Sequence, residues 1–128
     1  MSQRYYASGK LLLSGEYLVL RGARALAVPV RMGQSMEIEI LVDPIEPCID
    51  WNARVMEKDW FCARISLPEM KVSMTSDQAI ALRLVKLMKA LRNLKENNFD
   101  GLTGYRITTH SAFDPAWGLG SSSALIAN

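Results

Sequence analysis

Leu102-Thr-Gly-Tyr-Arg-Ile-Thr-Thr-His-Ser-Ala-Phe-Asp-Pro-Ala-Trp-Gly-Leu-Gly-Ser-Ser-Ser-Ala-Leu-Ile-Ala-Asn128 changes character twice along its length. Leu102–Ser111 places Tyr105, Ile107 and Thr109 on one face, the period-two signature of a strand. Ala112–Trp117, which contains Asp114 and Pro115, reads as a loop. Gly118-Leu-Gly-Ser-Ser-Ser123 then leads into Ala124-Leu-Ile-Ala127, the apolar opening of a helix.

Upstream, Ser76 or Asp77 caps the clearest helix of the chain, which runs to about Asn93 or Glu96. Its apolar stripe is Ile80, Leu84, Leu87, Met88, Leu91 and Leu94, with Arg83, Lys86, Lys89 and Arg92 off the stripe as a solvated basic face. Asn97–Gly101 is a break. Earlier still, Ile49–Met56 and Trp60–Leu67 suit an antiparallel hairpin across Glu57–Asp59, with Trp51 and Trp60 on its two arms. Pro68–Thr75 reads as irregular. Gln34–Val42 alternates Met36, Ile38, Ile40 and Val42 against Glu37 and Glu39, a half-buried strand. The N-terminal third gives a short strand at Arg4–Ser8, an apolar stretch at Lys10–Leu13 and turns at Ser14-Gly15 and Gly22. A small-apolar run follows at Ala25–Val30. Early antiparallel strands, one long helix, a further strand and a loop-to-helix ending make the fold class α+β.

The bulk properties set limits. Of 128 residues, 49% are apolar and 22% charged, an ordinary globular composition that suits one domain. Fifteen basic and 13 acidic side chains leave a diffuse net charge of +2, which argues against a nucleic-acid surface or a polybasic membrane anchor. The longest apolar runs are far too short for a membrane span, and Met1-Ser-Gln-Arg4 lacks a signal-peptide pattern, so a cytoplasmic location is expected. Cys48 and Cys62 form no C-x-x-C pair and read as reduced thiols. The final segment stops about two turns into its helix without a C-terminal signal, so residues 1–128 are expected to be an incomplete domain.

The glycine-serine segment has the parts of an anion cradle. Glycines allow positive φ and close approach, and the first turn of a helix leaves N–H groups unpaired. Serine hydroxyls can cap the helix, donate to phosphate oxygens or ligate the Mg²⁺ that travels with a nucleotide. It is not a Walker A loop, since no lysine follows Lys95. Nor is it a dinucleotide fingerprint, which needs Gly or Ala where Ser123 stands. On these residues alone it reads equally as a phosphate cradle or as a serine-rich N-cap worth about 1 kcal/mol.

Pro115-x-x-Gly118-Leu-Gly-Ser-Ser-x-Ala124 resembles the central motif of the GHMP kinases, the superfamily of galactokinase, homoserine kinase, mevalonate kinase and phosphomevalonate kinase. A second match lies about a hundred residues upstream. Ala7-Ser-Gly-Lys10-Leu-Leu-Leu-Ser-Gly15-Glu16-Tyr17-Leu-Val-Leu20-x-Gly22, followed by Ala25-Leu-Ala-Val-Pro29, is similar to the family's N-terminal motif. The resemblance covers the family's N-terminal domain and implies its ribosomal-protein-S5-like α+β fold. It implies that ATP and Mg²⁺ are bound, with Pro115, Gly118, Leu119, Gly120, Ser121, Ser122 and Ser123 at the phosphates and Ser122 also on the metal. It places Lys10 near the transferring phosphoryl group, with Glu16 positioning Lys10 or the substrate. The expected partner is a small-molecule acceptor. Gly15-Glu16-Tyr17 is more like phosphomevalonate kinases than mevalonate kinases, which points to an isoprenoid-pathway alcohol or phosphate. Ser123 departs from the family's usual alanine. The family's acidic Mg²⁺ ligand, aspartate base and C-terminal glycine-rich motif all follow the central motif, so residues 1–128 are expected to be inactive alone.

The other polar residues read more plainly. His110 is a satisfied strand-end histidine, Asp114 a loop-capping carboxylate, and the three tryptophans packing groups. The alternative to a kinase is a non-catalytic nucleotide or metabolite sensor; an S5-like adaptor is weaker.

Overall fold

Residues 2–42, 44–94 and 103–127 are described by the computed structural model, without the side chains of Leu94, Ser123, Ile126 and Ala127. Alternating sequence makes most of it strand: β1 Ser2–Ser14, β2 Leu26–Leu41, β3 Cys48–Val55, β4 Lys58–Ser66, β5 Lys71–Thr75 and β6 Gly104–Ser111. They form one sheet in the order β1-β2-β6-β3-β4-β5. Every pairing is antiparallel except β3 with β6, which run parallel. Helix α1, Gln78–Leu94, links β5 to β6, and helix α2, Ser121–Ala127, follows the glycine-serine segment. The expected α+β class is what the chain adopts. The expected break at Asn97–Gly101 and strand start at Leu102 lie outside the described residues.

Register explains the two faces. Met36, Thr109, Ala53 and Phe61 lie side by side across four strands, as do Tyr105, Ile49 and Ile65 across three. These inner-face residues meet Ala81, Leu84, Val85 and Met88 of α1 in the main core. Burying Leu84, Val85 and Met88 contributes about 2 kcal/mol each, far more than helix propensity supplies. On the outer face the neighbouring row reads Glu39, Arg106, Asp50, Arg64. Arg106 Nη1 lies 2.8 Å from Glu39, and Arg64 grips Asp50 with two bonds of 2.6 and 3.2 Å. Such solvated pairs, screened by water, add little to stability.

Several expectations need correction. Arg4–Ser8 and Lys10–Leu13 are one continuous strand, because Gly9 runs on through β1 opposite a bulge in β2: the register jumps from Ser8↔Gly33 to Lys10↔Pro29. Lys71–Thr75 is not irregular but an edge strand on β4, with only Val72 packed against the core. Val42 does not share the buried face of Met36; it lies beyond β2 and is 81% exposed. The α1 stripe is rotated, with Ala81 and Val85 buried and Leu91 exposed. Asp77, not Ser76, caps α1, its Oδ1 accepting the Ile80 N–H at 3.0 Å. Between the two turns expected at Ser14-Gly15 and Gly22, Leu18–Arg21 forms a 3₁₀ turn at the end of the β1–β2 hairpin, with Leu18, Val19 and Leu20 exposed.

The β3–β4 turn holds Met56 at φ 55, a left-handed conformation that costs a side-chain-bearing residue about 1–2 kcal/mol. Its backbone is fixed from both sides. The Met56 N–H donates to the Ser111 carbonyl at 2.7 Å, and the Met56 carbonyl accepts from His110 Nε2 at 2.7 Å. His110 is thus the satisfied strand-end histidine expected from sequence, protonated at Nε2 because a carbonyl can only accept. Met56→Gly should raise the urea midpoint by an amount equivalent to about 0.5 kcal/mol, after glycine's entropy cost, and Met56→Val should lower it. Equilibrium unfolding of the three chains checks that order.

Candidate functional site

Antiparallel pairing turns the N-terminal motif into a hairpin. Lys10 sits opposite Pro29, and Leu11 and Leu12 opposite Val28 and Ala27. β1 is the edge strand of the sheet, and near Lys10 the edge is occupied. The Lys10 N–H donates to the Leu119 carbonyl at 2.8 Å. The aliphatic stem of Lys10 lies across Gly120, so that a Cβ there would come within 3.0 Å of Lys10 Cγ and 3.2 Å of Cε. Two segments about a hundred residues apart in sequence therefore meet backbone to backbone at one point.

The loop itself is built in steps. Asp114 Oδ1 accepts the Ala116 N–H at 2.8 Å and caps a 3₁₀ turn, Pro115–Trp117. The carboxylate is a loop cap, as its spacing suggests. Gly118 and Gly120 both take left-handed φ, 71 and 75. The Gly120 carbonyl accepts the Ala124 N–H at 2.9 Å, so Gly120 is the residue from which α2 starts. Ser121 and Ser122 occupy the first turn of α2, where backbone N–H groups have no partner within the helix. Ser122 is exposed and Ala124 buried, which seats the helix on the sheet with Ser122 outward. Ser123 lies in the same turn; its side chain is outside the described residues.

A pocket of about 320 Å³ adjoins this turn. Trp51, Phe61, Ile80 and Leu84 give it an apolar lining, and Ser121 and Ser122 form part of its wall. Pro115 lines it as well, as do the exposed Arg54 and Arg83. That size is at the lower end for small-molecule sites, and the mix of apolar wall with a few convergent polar groups is their usual chemistry. Sequence reasoning read Ile80, Leu84 and Leu87 only as helix core and Arg83 only as solvated surface. The signal was in the stripe: Ile80 and Leu87 lie along one edge of it, and both remain partly exposed in the pocket.

Ser14 ends β1 four residues past Lys10, about 13 Å along an extended strand, and Glu16 follows in the turn after Gly15. It is exposed, and among the described residues no ion pair joins it to Lys10. Trp117 is exposed beside the loop, whereas Trp60 lines the pocket. Cys48 and Cys62 are partly buried and unbridged, and burial, then Asp50, push the Cys48 thiol up, which keeps it neutral. Among the described residues no three His, Cys, Asp or Glu side chains gather as a metal site, and no helix is long and apolar enough to cross a membrane.

No model of a known protein family matches the chain. A search of the curated proteins likewise returns no match.

Proposed function

We propose that this chain is the nucleotide-gripping, S5-like domain of a GHMP-type small-molecule kinase, which transfers a phosphoryl group from ATP to a small alcohol or phosphate acceptor. The observation that carries the reading is the meeting of Lys10 with Leu119 and Gly120. A lysine fixed against a glycine loop with left-handed turns puts a positive charge beside backbone donors, which is what a polyphosphate requires.

The residues fit MgATP in three respects. Gly118 keeps the approach to the backbone clear while Gly120 makes room for the Lys10 stem, Ser122 offers an outward hydroxyl for phosphate or Mg²⁺, and the adjoining pocket has an apolar wall suited to a base. When bound, MgATP supplies the transferable phosphoryl group and its counter-charge. The chain's own part is to orient the phosphates and to hold the Lys10 ammonium where negative charge develops, so that catalysis rests on positioning and electrostatics. Glu16 belongs, on this reading, to the acceptor side at the active-site edge and not to the phosphate grip.

Isothermal titration of the chain with MgATP tests this. Saturable binding is expected, and Ser122→Ala and Lys10→Met should each weaken it by about tenfold, equivalent to about 1.4 kcal/mol, with unfolding midpoints unchanged. The same two changes in a catalytically complete protein should cut turnover by more than about tenfold. Absence of binding sinks the proposal. Binding without phosphoryl transfer in that complete protein turns it toward a nucleotide sensor.

A further inference from the structure

We infer that Phe113, by seating its ring against Gly9, is the positioning residue that holds Lys10 over the glycine-serine loop; the inference rests on the phosphate-binding reading of that loop. Phe113 is fully buried, yet it stands apart from the hydrophobic cluster under α1. A large ring buried outside the main core has a local task, and the β2 bulge opposite Gly9 shows what it is.

Between the pairs Ser8↔Gly33 and Lys10↔Pro29, β1 contributes only Gly9 while β2 contributes Val30, Arg31 and Met32. The extra residues bulge β2 against Gly9. Lys10 is the first residue of β1 to pair after that shift. Its N–H goes to the Leu119 carbonyl, and its stem crosses Gly120. Gly9 itself is enclosed: a Cβ there would lie 3.0 Å from each of Phe113 Cε1, Val30 Cγ2 and the Met32 carbonyl oxygen. The Phe113 ring borders the space that a side chain at position 9 would need.

The ring is held from its own side too. Ser111 Oγ donates to the Phe113 carbonyl at 2.7 Å, and the Ala112 N–H donates to the Gly33 carbonyl at 3.0 Å. The linker from β6 into the loop is therefore tied to β2 and to its own strand end. Two adjacent residues of β1, Gly9 and Lys10, thus meet the two ends of one segment, Phe113 and Leu119. Removing the first contact leaves the approach of strand and loop to the contacts of Lys10 with Leu119 and Gly120 and to the packing of α2 on β1 and β2.

Two measurements on the chain test this. Phe113→Leu should speed hydrogen exchange at the Lys10 amide by at least about tenfold relative to amides of β3, because that amide is held by the loop. In calorimetry it should weaken MgATP binding several-fold when Lys10 is present and leave it unchanged in a Lys10→Met background, the coupling expected of two residues acting through one contact. Gly9→Ala, which crowds the ring instead of shrinking it, should give the same pattern and serves where Phe113→Leu fails to fold. Unaltered Lys10 protection, or equal weakening in both backgrounds, overturns the positioning role and leaves Phe113 as packing. A wild-type chain that binds no MgATP overturns the phosphate reading instead, whatever the exchange rate of Lys10.

Discussion

Gly120→Ala is expected to weaken MgATP binding by at least about tenfold while costing no more than about 2 kcal/mol of stability. Two effects combine at this position. The backbone φ of 75 is one that alanine adopts only with strain of about 1–2 kcal/mol. The new methyl would also stand 3.0 Å from Lys10 Cγ and 3.2 Å from Cε, so the lysine stem must shift by a few tenths of an ångström on the loop. Gly118→Ala separates the two. It has nearly the same φ, 71, but no atom within 4 Å of the added methyl. It should therefore carry the strain without displacing Lys10, and weaken MgATP binding only a few-fold. Calorimetry on both variants, with unfolding midpoints alongside, decides the matter. Equal losses of affinity would mean that loop strain alone matters and that the lysine contact is incidental.

The contrast shows which parts of the site are local in origin and which are not. The left-handed turns are legible because Gly-x-Gly-Ser-Ser permits them, and the Asp114 cap is legible because an aspartate before Pro-Ala forms a short-range turn. Gln34–Leu41, the β3–β4 hairpin and the start of α1 announce themselves by period and capping. What sequence does not disclose is set by contacts between distant segments. Gly9 has the local signature of a breaker, and only its packing against the Phe113 ring and the bulged Val30–Met32 of β2 shows it to lie within a continuous strand. β5 has a single core-packed side chain, Val72, and exists because β4 offers it hydrogen bonds. The pocket escapes for a related reason. A helical stripe predicts which side chains turn inward, not whether the sheet beneath fills the space under all of them.

The same separation governs stability. Ile65→Ala should lower the unfolding free energy by about 4 kcal/mol and still leave MgATP affinity within about twofold under native conditions. Ile65 is completely buried and pairs directly with Ile49, which is also completely buried, beneath α1. No flexible neighbour borders the pair on the sheet, since Tyr105 and Val72 continue the row, so the cavity cannot close cheaply. The loop lies at the other end of these strands. From Ile49 to Val55, which pairs with Ser111 just before the Phe113 linker, is about 20 Å of extended chain. The phosphate loop is that far from Ile65, although the pocket wall of Trp51, Phe61 and Leu84 belongs to the same core cluster, so independence is expected of the phosphate grip. Urea unfolding gives the stability change and calorimetry at zero denaturant gives the affinity. If affinity fell in step with stability, the grip on phosphate would depend on the packing of the whole sheet. If only stability falls, Phe113, Gly9 and Lys10 suffice to hold the loop against β1.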